Sequence, residues 1–200
     1  MNDKKFKLTI KKLKPEERAK TESTQEEAEE ILDVSELPSQ TKGNIVEQRV
    51  AELILLYGQG LLNVYKPISD VEGVDLIVVK KRIFNPVFIQ VKSRFKLDKS
   101  GNFQISVKEG RFTPHHSFFV VGAYFNPKEG DLSDYMLFIP SEDFIKHTSL
   151  VMKKTSKSRY ALSIRLTKTY SGIFSPFIIR KENLANKIFE KFREIEKYYK

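Results

Sequence analysis

From Asn44 to Tyr57 the apolar side chains recur at helical spacing. Val46, Val50, Leu53, Ile54 and Tyr57 form one stripe, and Gly58 follows as a stop. Beyond it the period changes. Leu61–Tyr65, Gly73–Val79 and Phe88–Lys92 are dominated by β-branched and aromatic residues and read as strands, with Asn85-Pro86 as a turn signal between the last two. Phe103, Ile105 and Val107 alternate with Gln104, Ser106 and Lys108. Phe118–Phe125, Tyr135–Pro140 and Tyr160–Leu166 supply further strands. Ser141-Glu142-Asp143 has the character of a helix N-cap. After Ser175-Pro176, the residues Leu184, Ile188, Phe192, Ile195 and Tyr199 mark the apolar stripe of a terminal helix from Glu182 to Tyr199. Helical and strand periods mix along one chain, as in the α/β and α+β classes.

The first 40 residues do not share this patterning. Phe6, Leu8 and Ile10 alternate with Lys and Thr as a short strand would, and Thr24-Gln25-Glu26-Glu27 has the form of a capping box leading toward Leu32. Neither buries much apolar surface. Pro15 to Gln40 is acidic, Ser/Thr-rich and almost free of aromatics, so residues 1–40 are expected to be a flexible or loosely docked charged arm. Residues 41–200 then form one domain, with a core over 42–147 and a strand-and-helix extension over 148–200. The arm carries eight Lys/Arg and ten Asp/Glu, whereas the remaining 160 residues carry 27 basic and 16 acidic side chains. The basic excess belongs to the folded part and suits a polyanionic partner, nucleic acid foremost.

Absent residue types and motifs narrow the chemistry. There is no cysteine, so disulfides, thiolate metal sites and cysteine nucleophiles are excluded and a reducing compartment is permitted. The N-terminal Met-Asn-Asp-Lys-Lys has no apolar segment behind it, and Phe118–Phe125 is far short of the roughly 20 residues of a membrane span. A soluble, cytoplasmic protein with no membrane partner is expected. No Gly-rich phosphate loop, serine-nucleophile elbow or dinucleotide fingerprint is present. His115-His116 has no third imidazole or nearby acid to complete a zinc site.

A small polar set stands out against the apolar strands. Alternation places Gln90 and Lys92 on one face of their strand, opposite Ile89 and Val91. Such a pair in an apolar stretch belongs either to an edge strand with a solvated face or to a cleft where a partner compensates it. Asp75 lies in the preceding strand. Glu47 borders the helical stripe, where Asn44 three residues earlier imitates a capping box and the helix dipole favours an acid, so a structural role competes with a chemical one.

Taken in order, Gly43-Asn44-Ile45-Val46-Glu47, Gly73-Val74-Asp75 and Gln90-Val91-Lys92 resemble the core of the PD-(D/E)XK restriction-endonuclease-like superfamily. The resemblance is to the branch with Gln-x-Lys, which includes Mrr-type restriction enzymes and some intron-homing endonucleases; Holliday-junction resolvases share the opening helix pattern. It covers residues 42–95 well and extends loosely to 147. It implies a restriction-endonuclease-like fold: a mixed central β-sheet flanked by helices, with an N-terminal arm and a C-terminal helix.

The function it implies is Mg²⁺-dependent hydrolysis of DNA phosphodiesters, with Mn²⁺ as a substitute and Glu47, Asp75, Gln90 and Lys92 as the catalytic set. Asp75 would be the principal metal ligand, the Gln90 side-chain carbonyl and Val91 backbone carbonyl weaker ones, and Glu47 would hold a water or a second metal. Lys92 would orient or deprotonate the attacking water. Gln90 departs from the family's usual acid, and Asp70 or Glu72 in the loop before Asp75 could replace it if not simply solvated. Arg94, Lys96, Lys99 and Lys108, on an extended hairpin, could follow a phosphate backbone of duplex or branched DNA, with ordinary solvation as the alternative. Cleavage of both strands would suit a homodimer. Two other classes stay open: a nuclease-fold module that binds nucleic acid or joins an assembly without turnover, and a basic domain with no nucleic-acid role.

Overall fold

The computed structural model describes residues 32–69, 72–109, 113–152 and 158–198. The strand expected over Phe6–Ile10, the helix starting at Thr24 and Asp70 lie outside these residues. A long helix, α1 (Ser39–Tyr57), leads into β1 (Leu62–Tyr65), β2 (Leu76–Lys80) and β3 (Val87–Arg94). Next come β4 (Phe103–Lys108), β5 (Phe118–Asn126), β6 (Asp131–Leu132) and β7 (Tyr135–Pro140), then the short helix α2 (Ser141–His147). The chain continues through β8 (Ser149–Met152), β9 (Ser158–Ile164) and β10 (Ile178–Arg180) to α3 (Leu184–Tyr198), with 3₁₀ turns at Ser175–Phe177 and Lys181–Asn183.

The main sheet has the order β1-β2-β3-β5-β7-β10, with β6 paired to β5. β3 and β5 run parallel, Lys92 opposite Gly122, and the other pairings are antiparallel. β3 is therefore interior, and the edge-strand explanation for Gln90 and Lys92 does not hold. A second, antiparallel sheet of order β4-β9-β8 stands apart. The polar positions of β4 and β9 face outward while Phe103, Ile105, Val107, Leu162 and Ile164 pack against Val120, Leu137 and Ile139 of the main sheet. α2 joins the same layer through Phe144. On the opposite face, Val46, Val50 and Ile54 of α1 and Leu184, Ile188, Phe192 and Ile195 of α3 cover Val78, Ile89 and Val121. The result is a mixed α/β architecture with a central mixed sheet flanked by helices.

Several local expectations change. α1 begins at Ser39, right after Pro38, so Asn44 is interior to the helix and caps nothing, and the first turn carries no acid. β2 begins at Leu76, one residue after Asp75. The reversal between β2 and β3 is made at Lys81-Arg82, where Arg82 has φ +67° and the Ile83 N–H donates to the Lys80 carbonyl at 2.9 Å, rather than at Asn85-Pro86. Ser141 does not cap α2; its hydroxyl accepts from the His115 N–H at 2.8 Å and donates to the His115 carbonyl at 3.0 Å. The extended hairpin of β3 and β4 is absent, because β4 pairs with β9 in the other sheet. The terminal helix starts at Leu184, after the turn at Lys181–Asn183, and Tyr199 lies outside the described residues.

Candidate active site at the end of the β2–β3 hairpin

Asp75 is held by backbone before any ligand is considered. Gly73, at φ +73°, takes a conformation that favours glycine and turns the chain into Val74-Asp75. The Asp75 N–H donates to the Ile89 carbonyl at 2.9 Å, continuing the β2–β3 ladder past its last regular pair. Its side chain then accepts the Val91 N–H on Oδ2 at 2.6 Å. A strand residue sends its N–H and C=O to the same edge. The Val91 carbonyl therefore leaves on the Asp75 side, beyond the end of β2.

This geometry opens a cleft of about 480 Å³. One wall is α1, through Ser39, Lys42, Gly43 and Glu47; the other is Asp75 with Val91, Lys92, Ser93, Arg94, Phe95 and Lys96. A second hollow of about 440 Å³ includes Asn44, Lys66, Ile68 and Val74, and it shares Gly43, Glu47 and Asp75 with the first. The two carboxylates thus stand where the hollows meet. A polymer crossing from one hollow to the other passes both.

Glu47 reaches this point from well inside α1, so the early end of the helix no longer explains it. Its carboxylate pairs with Lys66 in the loop after β1, Nζ to Oε2 2.8 Å, and is mostly covered. Gly43 lies one turn earlier on the same helical face, where a Cβ would meet Glu47 Oε1 at an ordinary contact distance of 3.9 Å. Of the expected set, Glu47, Asp75, Val91 and Lys92 line one cleft. Gln90 lies on β3 just before the last two but outside the cleft lining: it is 4% exposed, and its Oε1 has no hydrogen-bond partner among the described residues.

Among the basic residues, Arg94 and Lys96 line the cleft, whereas Lys99 and Lys108 do not. Glu72 lines a different cavity of about 270 Å³, with Val74, Phe88, Thr113, His115 and Phe118. Ser39, Lys42 and Lys66 are cleft or hollow residues that sequence reasoning missed. Gly43 four residues before Glu47 was the available signal for the α1 wall; Lys66 offered none, since its contact with Glu47 joins separate elements.

The candidate donors lining the cleft are oxygens, two carboxylates and a backbone carbonyl, with the buried Gln90 amide oxygen behind them on β3. That set suits a hard divalent cation completed by water. Among the described residues no group of three or more His, Cys, Asp or Glu side chains could hold a metal ion, so neutral oxygens would have to contribute.

Also among the described residues, no helix is long and apolar enough to cross a membrane. No protein-family model matches the chain, and no curated protein does so either. Among solved structures, the chain is similar to a bacterial homing endonuclease, I-Ssp6803I, at 19% identity and a TM-score of 0.53 over 80% of this chain and 98% of that one. At that identity the likeness is one of fold, a central mixed sheet with flanking helices.

Proposed function

We propose that this protein is a metal-dependent endonuclease of the PD-(D/E)XK kind, hydrolysing phosphodiester bonds in DNA. One observation carries the reading: Glu47 from α1 and Asp75, Val91 and Lys92 from the hairpin line a single cleft whose wall continues as Arg94 and Lys96. Asp75, Glu47, the Val91 carbonyl and the Gln90 amide oxygen would hold Mg²⁺, or Mn²⁺ in its place. When bound, such an ion stabilises charge on phosphoryl oxygens and makes a bound water more acidic.

The chain's own residues do the rest. Asp75, pinned by the Val91 N–H, presents its carboxylate in one orientation. Lys92 holds the attacking water or takes its proton, and faces the negative charge that builds on the phosphoryl oxygens. Glu47, held by Lys66, orients water from the helix side. Lys42, Arg94 and Lys96 bind backbone phosphates along the cleft, which favours polyanions without selecting sequence. A two-fold pair of chains would cut both strands of a duplex.

The test incubates the protein with supercoiled, linear, branched and single-stranded DNA, and with RNA, each in Mg²⁺ or Mn²⁺. Lys92→Ala serves as the contamination control. DNA cleavage should fall by about 10²–10⁴ in the variant. Equal cleavage by both proteins would remove Lys92 and the catalytic reading with it. A second reading, a nuclease fold that binds nucleic acid without turnover, is favoured by Gln90 in place of an acid and by Glu47 already engaged with Lys66. Salt-sensitive binding with no cleavage in any metal would establish it over the first.

A further inference from the structure

The outward face of β4 and β9 has no role in the cleft chemistry, and its composition is one-sided. Gln104 stands opposite Ser163, Ser106 opposite Ala161, and Lys108 opposite Arg159, with Arg165 just past the end of β9. No acidic side chain occupies these positions. Lys108 and Arg159 are like charges directly opposed across a ladder, an arrangement that costs stability. Arg159 is oriented by an NH1 bond to Ser106 Oγ at 3.1 Å, yet its buried Nε has no acceptor among the described residues. α3 manages its lysines differently, pairing Lys187 with Glu190 at 2.7 Å and Lys191 with Glu194 at 2.8 Å.

The carboxylate that bonds Gln104 on this face is already committed. Asp98 accepts the Ser100 and Asn102 N–H groups at 2.9 and 2.8 Å, and it also takes Asn102 Nδ2 at 3.2 Å and Gln104 Nε2 at 2.8 Å. Those bonds hold its carboxyl below the usual range, the Asn102 backbone N–H contributing most. They also fix Gln104 with its Oε1 and one amide hydrogen still to place.

We propose that this face enters the major groove of duplex DNA, Gln104 and Ser106 meeting base edges while Lys108, Arg159 and Arg165 hold the flanking phosphates. An antiparallel ribbon fits a groove about 12 Å wide, and a strand the length of β4 follows it for about 20 Å. Among the described residues β4 is an edge strand, so it leads into the groove with β9 beside it and β8 behind. The chain itself links the two places: it runs from Arg94 and Lys96 through residues 97–102 into β4, and Arg165 NH2 bonds the Ser100 carbonyl of that connection at 3.1 Å. A duplex over the cleft and the ribbon is bound by both. The choice of DNA as the polyanion rests on the nuclease reading; the existence of an anion-binding face does not.

The experiment measures anisotropy of a short fluorescent duplex of random sequence, using Lys92→Ala protein with Mg²⁺ so that the probe stays intact. Lys108→Gln/Arg165→Gln should weaken Kd at least tenfold and lower the slope of log Kd against log salt by about two. Lys187→Gln/Lys191→Gln, with the same loss of charge on α3, should change Kd less than twofold. In Gln104→Ala, sequences enriched from that pool should lose preference at one position.

Equal losses in the two charge pairs, no binding of duplex by the parent, or stronger use of the same residues by single-stranded RNA would each overturn the proposal. Lys108 and Arg165 are exposed, and unchanged thermal unfolding of the variant verifies its fold. The two readings fail separately. Binding loss confined to Arg94→Gln/Lys96→Gln would sink the ribbon and spare the nuclease; absence of cleavage with a ribbon-dependent Kd would do the reverse.

Discussion

Gln90 is the buried polar side chain on which the proposed metal site can be tested. It is 4% exposed and leaves Oε1 without a partner among the described residues, a deficit of about 1–3 kcal/mol for a buried acceptor. Gln90→Met keeps the volume and removes the acceptor, so the metal-free protein should gain about 1 kcal/mol in urea unfolding while cleavage falls. Gln90→Glu places a carboxylate in the same position and should lose on the order of 3 kcal/mol in chelator. Mg²⁺ should return a large part of that loss in the Glu variant and little in wild type. A Glu variant whose thermal unfolding ignores Mg²⁺ would take Gln90 out of the donor set. The pairing of Gln90 with Lys92 was legible because strand alternation depends only on local residue types. The depth of Gln90 was not, since it is set by the parallel neighbour β5 and by a second sheet drawn from residues far along the chain.

At the level of elements, α1 shows what hydrophobic periodicity conveys and what it leaves out. The stripe Val46, Val50 and Ile54 located the helix correctly, and all three are fully buried. Its start was invisible, because Ser39 to Gly43 carry no apolar residue to set a phase and glycine is a poor helix former. That difference decides how Glu47 is read. If Asn44 were a cap, Asn44→Ala would cost about 1 kcal/mol. As an exposed interior residue it should instead leave stability unchanged or raise it by up to roughly 0.5 kcal/mol. Urea unfolding separates the two outcomes, and a loss near 1 kcal/mol would return Glu47 to the first turn. β4 was misplaced for a related reason. Consecutive strands usually pair, but Phe103, Ile105 and Val107 are buried against the main sheet, and they form their ladder with β9.

On the scale of the whole molecule, the central sheet is a partition: α1 and α3 cover one face, and the second sheet with α2 covers the other. The seam between the two sheets is tight at Gly122, which pairs with Lys92 in the parallel register. A Cβ on Gly122 would come within 2.9 Å of Phe103 Cε1 and 3.2 Å of Leu137 Cβ. Nothing in the local sequence of β5 announces this, because Phe103 approaches from a different sheet. Gly122→Ala should therefore cost about 1–3 kcal/mol by overpacking. It should also lower cleavage at temperatures where the variant is fully folded, since β5 must shift beneath Lys92. Phe103→Leu alone opens space and loses buried apolar surface. Combined with Gly122→Ala it should recover stability relative to the sum of the single changes, with a coupling of at least about 1 kcal/mol. Additive single effects in a double-mutant cycle would mean that the two sheets do not meet at this point. Recovery of stability without recovery of cleavage would instead show that the position of β3, and with it Lys92, is set from the helical face alone.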